Sequence, residues 1–141
     1  MPNAVYNSTK ADLLRADVDY VDDTINVALV TSAYSPDVDG DSFYSDLTNE
    51  VTGTGYTAGG ATLASKTTTV DTANDRVEFD AADVTWSTAT ITNARYAIVY
   101  KDTGTPGTSA LICAVDFGAD KTAAGVDFTI TWDAQGIFHI G

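Results

Sequence analysis

The stretch "VDFTITWD", residues Val126 to Asp133, alternates with a period of two. Val126, Phe128, Ile130 and Trp132 fall on one side, and Asp127, Thr129, Thr131 and Asp133 on the other. That spacing predicts a β-strand with one face in an apolar interior and the other in water. Upstream, "DRVEFD" and "DVTWST" repeat the pattern: Val77 and Phe79 alternate with Arg76, Glu78 and Asp80, and Val84 and Trp86 with Asp83 and Thr85. "SKTTTVD" precedes "DRVEFD" across "TAND", a turn sequence, so these two segments read as a hairpin. "TINVALVTS", "ARYAIVYK" and "ALICAVDF" are apolar at successive positions, as expected of strands covered on both faces. "GIFHIG" closes the chain. The pattern predicts an all-β fold, a β-sandwich or jelly-roll-like barrel of about eight strands.

Composition agrees. The chain has 22 Thr, and 18 of its 20 acidic residues are Asp. Threonine suits half-buried strands, whereas aspartate favours turns over helix interiors. Only residues 1–23 suggest a helix: "STKADLLRAD" offers Ser8 or Thr9 as N-cap and Leu13 with Leu14 as a short apolar face. We therefore expect a short N-terminal helix or arm over 1–23 and a single β domain over 24–141. The connection Ala33–Glu50 holds Pro36, Gly40 and four Asp, and its length marks it as functional or mobile.

With 20 acidic and 7 basic residues, the net charge is -13. The cations are scattered, and a polyanion such as DNA is repelled, so nucleic-acid binding is not expected. No apolar run approaches the ~20 residues of a membrane-spanning helix, and the N-terminus lacks a signal-peptide pattern, so neither membrane insertion nor secretory export is expected. One cysteine, Cys113, leaves no partner for an intrachain disulfide.

Chemistry is sparse. "NEVTGTGYTAGGATL" (Asn49–Leu63) contains G-x-G-x-x-A at Gly53, Gly55 and Ala58, but a polar segment precedes it and a Thr-rich strand follows. A dinucleotide loop needs a strand before it and a helix after it, and a Walker loop needs a lysine where Ala61 stands. Gly53, Gly55, Gly59 and Gly60 read instead as a structural corner, with Tyr56 packed down as its anchor. Asp37, Asp39 and Asp41 occupy alternate positions like the first ligands of a calcium loop, yet Ser42 and Thr48 stand where that loop has Gly and Glu. They are the nearest approach to a metal site, and the expectation is a solvated loop without a required ion. His139 is the only histidine, so no Ser–His–Asp triad with a spare partner exists. Trp86 and Trp132 are in register with apolar neighbours and read as core. The tyrosines Tyr34, Tyr44, Tyr56, Tyr96 and Tyr100 are a surplus available to an interface. No cofactor and no catalysis are expected.

Read in order, "YNSTKADLL", "DTINVALVTSAYSPDVD", "SDLTNEVTGTGYTAGGATL", "VEFDAADVTWSTATITNARYAIVY" and "DFGADKTAAGVDFTITWDAQGIFHI" span nearly the whole chain. Together they resemble a family of small structural proteins of tailed bacteriophages. The runs E-V-x-G-x-G-Y-x-A-G-G and F-D-A-x-D-V-x-W are the most specific parts. The resemblance implies a β-rich virion component made in the host cytoplasm, foremost a head decoration (cement) protein. Its implied partners are the major capsid protein or other virion proteins, and its implied state is a homo-oligomer, with a trimer favoured. A tail or fibre module binding a host glycan, and a head–tail connector or tail-completion protein, are the alternatives. The family brings no catalytic residues.

Overall fold

In the computed structural model, which describes residues 3–141, eight strands form two antiparallel sheets. They are β1 (Asn3–Val5), β2 (Ile25–Thr31), β3 (Ala61–Thr62), β4 (Thr67–Asp71), β5 (Arg76–Asp80), β6 (Val84–Lys101), β7 (Leu111–Ile130) and β8 (Phe138–Ile140). The larger sheet runs β1-β7-β6-β2-β3 and the smaller β4-β5-β8. The chain is an all-β sandwich of about eight strands, as the period-two patterns predict.

Two layers of core explain why β2 is apolar throughout. Ile25, Val27 and Leu29 point into the space between the sheets, where Val99, Ile112, Phe79 and Phe138 meet them. Phe79 and Phe138 stack at 4.5 Å, and Tyr20 meets both edge-on at 5.4 and 5.5 Å. Such ring pairs contribute about 0.5–1.5 kcal/mol each beyond their buried area. Ala28 and Val30 point the opposite way, into a second cluster with Ile98, Tyr100, Leu111, Tyr6 and Tyr34. The covering of that second face comes from Tyr6 and the Ala33–Glu50 connection, whose Val38, Tyr44 and Leu47 lie against it. The long connection is thus a strap over the sheet, fastened by the Phe43–Ala110 bridge and by Tyr44 N–H donating to the Ser109 carbonyl at 2.8 Å.

"DVTWST" and "ARYAIVYK" are not separate strands but one, β6; "ALICAVDF" likewise runs on into β7, which ends at Ile130. β-Bulges rather than loops separate the segments. A bulge adds a residue to one strand and bends it while the ladder continues, so period-two counting restarts without a turn residue to announce it. One bulge also overturns part of the opening pattern. Ala89 and Thr90 pair with Val126 and Ala124, leaving Gly125 extra at φ 68°. Phe128 and Ile130 stay buried, but Val126 is turned out and 57% exposed. Trp132 is buried beyond the strand's end, where its indole N–H donates to the Ala82 carbonyl at 3.0 Å.

The N-terminal helix (α1, Asn7–Leu14) is present but seats itself differently from expectation. Its N-cap position is Tyr6 and makes no side-chain cap bond; Leu14 is 90% exposed. Thr9 is the buried residue, its hydroxyl donating to the Leu111 carbonyl at 2.7 Å with the Ile112 carbonyl at 3.0 Å. Of the expected apolar face Leu13 does pack against the main core; a helix of two turns has little more apolar surface to offer, and a hydroxyl on strand carbonyls adds to its hold. Nor does residues 3–23 project as an arm. β1 pairs with β7 (Asn3 with Val115, Val5 with Cys113), and Tyr6, Val18 and Tyr20 are all buried.

Candidate functional site

The glycine corner takes its shape from close backbone approach. Gly53 (φ 148°) would place a Cβ 1.8 Å from the Thr90 carbonyl oxygen, and Gly60 (φ 79°) one 1.7 Å from that of Val27. Any side chain at either position overlaps backbone of β6 or β2, so glycine is required there. The corner thereby lies flat on the sheet and carries Tyr56 beneath it.

Glu50 is the hub of this region. It pairs with Val30 by an isolated bridge and turns its carboxylate inward. Oε1 accepts the Tyr56 hydroxyl at 2.6 Å and the Gly59 N–H at 2.7 Å, while Oε2 accepts the Tyr44 hydroxyl. Tyr56 Oη in turn accepts the buried Leu29 N–H at 2.9 Å. Tyr44 stacks on Tyr100 at 4.8 Å, and Tyr100 donates to the Gly59 carbonyl at 2.7 Å. Burial, and then the hydrogen bond and charge of Glu50, push the Tyr44 and Tyr56 hydroxyls far above the ordinary tyrosine range. They stay protonated, as donors to the carboxylate. Gly53, Gly55, Tyr56, Gly59 and Gly60 are legible as a corner in the sequence; the role of Glu50 is not, although it is one of only two glutamates in an Asp-rich chain.

The Asp37–Asp41 segment makes a second network. Asp37 Oδ1 accepts the N–H groups of Asp39 and Gly40 at 3.2 and 3.0 Å. Asp39 accepts from the Asn7 amide, and Asp41 Oδ2 accepts the Tyr34 hydroxyl at 2.7 Å. Tyr34 in turn hydrogen-bonds Tyr6 across 2.8 Å. Asp37 and Asp41 accept backbone N–H groups, Asp39 holds Asn7 and Asp41 also holds Tyr34, and among the described residues no His, Cys, Asp and Glu side chains group as metal ligands. Of the tyrosines read as interface surplus, Tyr34, Tyr56 and Tyr100 are buried, and Tyr44 and Tyr96 are half-buried.

The remaining candidates are dispersed. Burial pushes the Cys113 thiol far up, so it remains an unreactive thiol inside β7. His139 is exposed on β8 opposite Glu78. Both tryptophans are buried, Trp86 against Tyr56 and Phe128. No helix among the described residues is long and apolar enough to cross a membrane. Chemically, the Glu50 and Asp41 networks fasten a strap and a corner onto one sheet face. In comparisons with known proteins, no family model, no curated protein and no solved structure matches the chain.

Proposed function

We propose that the protein is a structural component of a tailed-bacteriophage particle, foremost a trimeric decoration protein on the outer surface of the head, bound to the major capsid protein. The observation that carries this reading is the run Glu50–Gly60. It is one of the two most specific parts of the phage-family resemblance, and it is also the segment that pins the strap to the sheet. The residues behind the resemblance therefore serve rigidity, as a lattice-bound shell component needs. Three linked copies on a local threefold position gain avidity of about 10²–10⁴ over one copy without any further chemistry. Cryo-electron microscopy of the purified particle tests the location, with density for the protein at threefold positions of the head expected. Light scattering of the isolated protein is expected to give three times the chain mass. A monomer that is also absent from the purified particle ends this reading.

A further inference from the structure

We propose that Trp86, Tyr56, Glu50 and Tyr44 form a relay that carries an oxidising equivalent out of the core, with the Glu50 carboxylate handling the protons. Its members touch in that order. The Trp86 and Tyr56 rings lie 5.8 Å apart between centroids. Tyr56 donates its hydroxyl to Glu50 Oε1 at 2.6 Å, and Tyr44 donates to Oε2 of the same carboxylate. Trp86 and Tyr56 are buried, whereas Tyr44 is half-buried in the strap. Indole and phenol are the side-chain rings that give up one electron most readily, for example to the carbonate radical anion. Near neutral pH an indole radical oxidises a phenol in contact with it when the phenolic proton has an acceptor.

Each step balances. The oxidant takes one electron from Trp86 and leaves its radical cation. Tyr56 passes an electron to that cation while its phenolic proton crosses to Glu50 Oε1. The products are neutral Trp86, a Tyr56 phenoxyl and a carboxylic acid. A proton acceptor already within hydrogen-bond reach needs no rearrangement. Burial, and then the hydrogen bond and charge of Glu50, push the Tyr56 hydroxyl far above the ordinary tyrosine range. The free phenolate is therefore out of reach, and electron and proton leave together. Tyr44 next gives its electron to the Tyr56 phenoxyl and its proton to Oε2, while Oε1 returns the first proton to Tyr56. The net change is one hydrogen atom moved from Tyr44 to Tyr56. There the relay stops. Tyr100 stacks on Tyr44 at 4.8 Å, but its hydroxyl faces the Gly59 carbonyl, which cannot keep a proton. Tyr34 also faces a carboxylate, Asp41 at 2.7 Å, yet no indole is in ring contact with it among the described residues. A phenoxyl at Tyr44 lies within reach of a small water-soluble reductant such as ascorbate, which restores the phenol with one electron and one proton. The chemistry is the same wherever on a particle the protein sits.

The test uses the full chain at neutral pH and an ultraviolet laser pulse that ionises the indoles directly, so that burial of Trp86 is no obstacle. Nitrous oxide and tert-butanol remove the ejected electrons. The green-absorbing indolyl band is expected to convert in part to the violet tyrosyl band, in a first-order phase whose rate is independent of protein concentration. Trp86→Phe should remove this phase and leave the slower decay of Trp132, whose indole N–H is held by the Ala82 carbonyl. Heavy water should slow the phase about twofold and Glu50→Gln about tenfold, since an amide does not take up the proton. A nitroso spin trap is expected to mark Tyr44 rather than Tyr56 or Trp86 on peptide mapping of the parent chain. Tyr44→Phe should keep the tyrosyl band but lengthen its life in ascorbate severalfold, because the radical then stays at buried Tyr56. The isotope effect and the trap pattern are read on the parent chain and decide the matter even where a variant does not fold. Absence of concentration-independent conversion, a rate indifferent to heavy water and to Glu50→Gln, or trap adducts on Trp86 in the parent each overturns the proposal.

Discussion

At Glu50 a single carboxylate ties the strap, through Tyr44, to the glycine corner, through Tyr56 and Gly59. Glu50→Ala removes the acceptor for two tyrosine hydroxyls and the Gly59 N–H at once. The expected cost is about 3 kcal/mol, read from urea unfolding, because buried donors to a charged acceptor lose that much when left unmade. An alanine variant as stable as the parent would mean that water replaces the carboxylate freely. Thr88 is predicted to behave in the opposite sense. This β-branched residue sits at φ 47°, and its N–H donates to Asp127 Oδ1 at 2.8 Å. Thr88→Gly keeps that bond and relieves the left-handed strain, so a gain of about 1 kcal/mol is expected in the same unfolding experiment. The tyrosines set a limit at alkaline pH. Burial raises the folded-state pKa of Tyr6, Tyr20 and Tyr56 above the unfolded value. Their contribution is complete below about pH 10 and is lost as the pH climbs beyond it, at up to ~1.4 kcal/mol per pH unit for each group. A titration followed at 295 nm should show these hydroxyls ionising only together with unfolding; smooth early ionisation in the native protein would contradict it.

At the scale of elements, the N-terminal segment is the piece whose role changes most. Deleting residues before Thr24 strips β1 from β7 and empties the sites of Tyr6, Val18 and Tyr20. Each buried aromatic alone accounts for about 3–5 kcal/mol, so the shortened chain is expected to lose cooperative thermal unfolding altogether. A sharp transition within a few degrees of the parent would show that the segment is dispensable. The sequence made strands legible wherever burial alternates or is continuous, as in β2, β5 and the end of β7. It hid the joins, because a bulge at Gly125 or Thr88 leaves no signature distinct from a turn. It also hid the strap. Ala33–Glu50 reads as a polar loop, since the side chains that pack on the sheet's second face, Tyr34, Val38, Tyr44 and Leu47, are irregularly spaced among polar residues. The corner was visible because glycine at close approach is a one-residue requirement. Glu50, whose role depends on three partners brought together by folding, was not.

For the whole molecule, the net charge of -13 works against compactness through self-repulsion. Against this, the ion pairs among the described residues are few and at most half-buried, for example Arg95 with Asp116 at 2.6 Å. Added salt therefore weakens little that holds the fold together and screens much that opposes it. Raising sodium chloride from 10 mM to 0.5 M should increase Tm by several degrees; a fall would place the balance with the ion pairs. The pairing of β1 with β7 has a further consequence, in time rather than energy. At a synthesis rate of ~5–20 residues per second, Asn3–Val5 emerges from the ribosome several seconds ahead of Cys113–Val115, the strand that completes it. Until then β1 has no strand to pair with and Tyr6 no Leu111 to pack against, so the first part of the chain to be made is among the last to find its place.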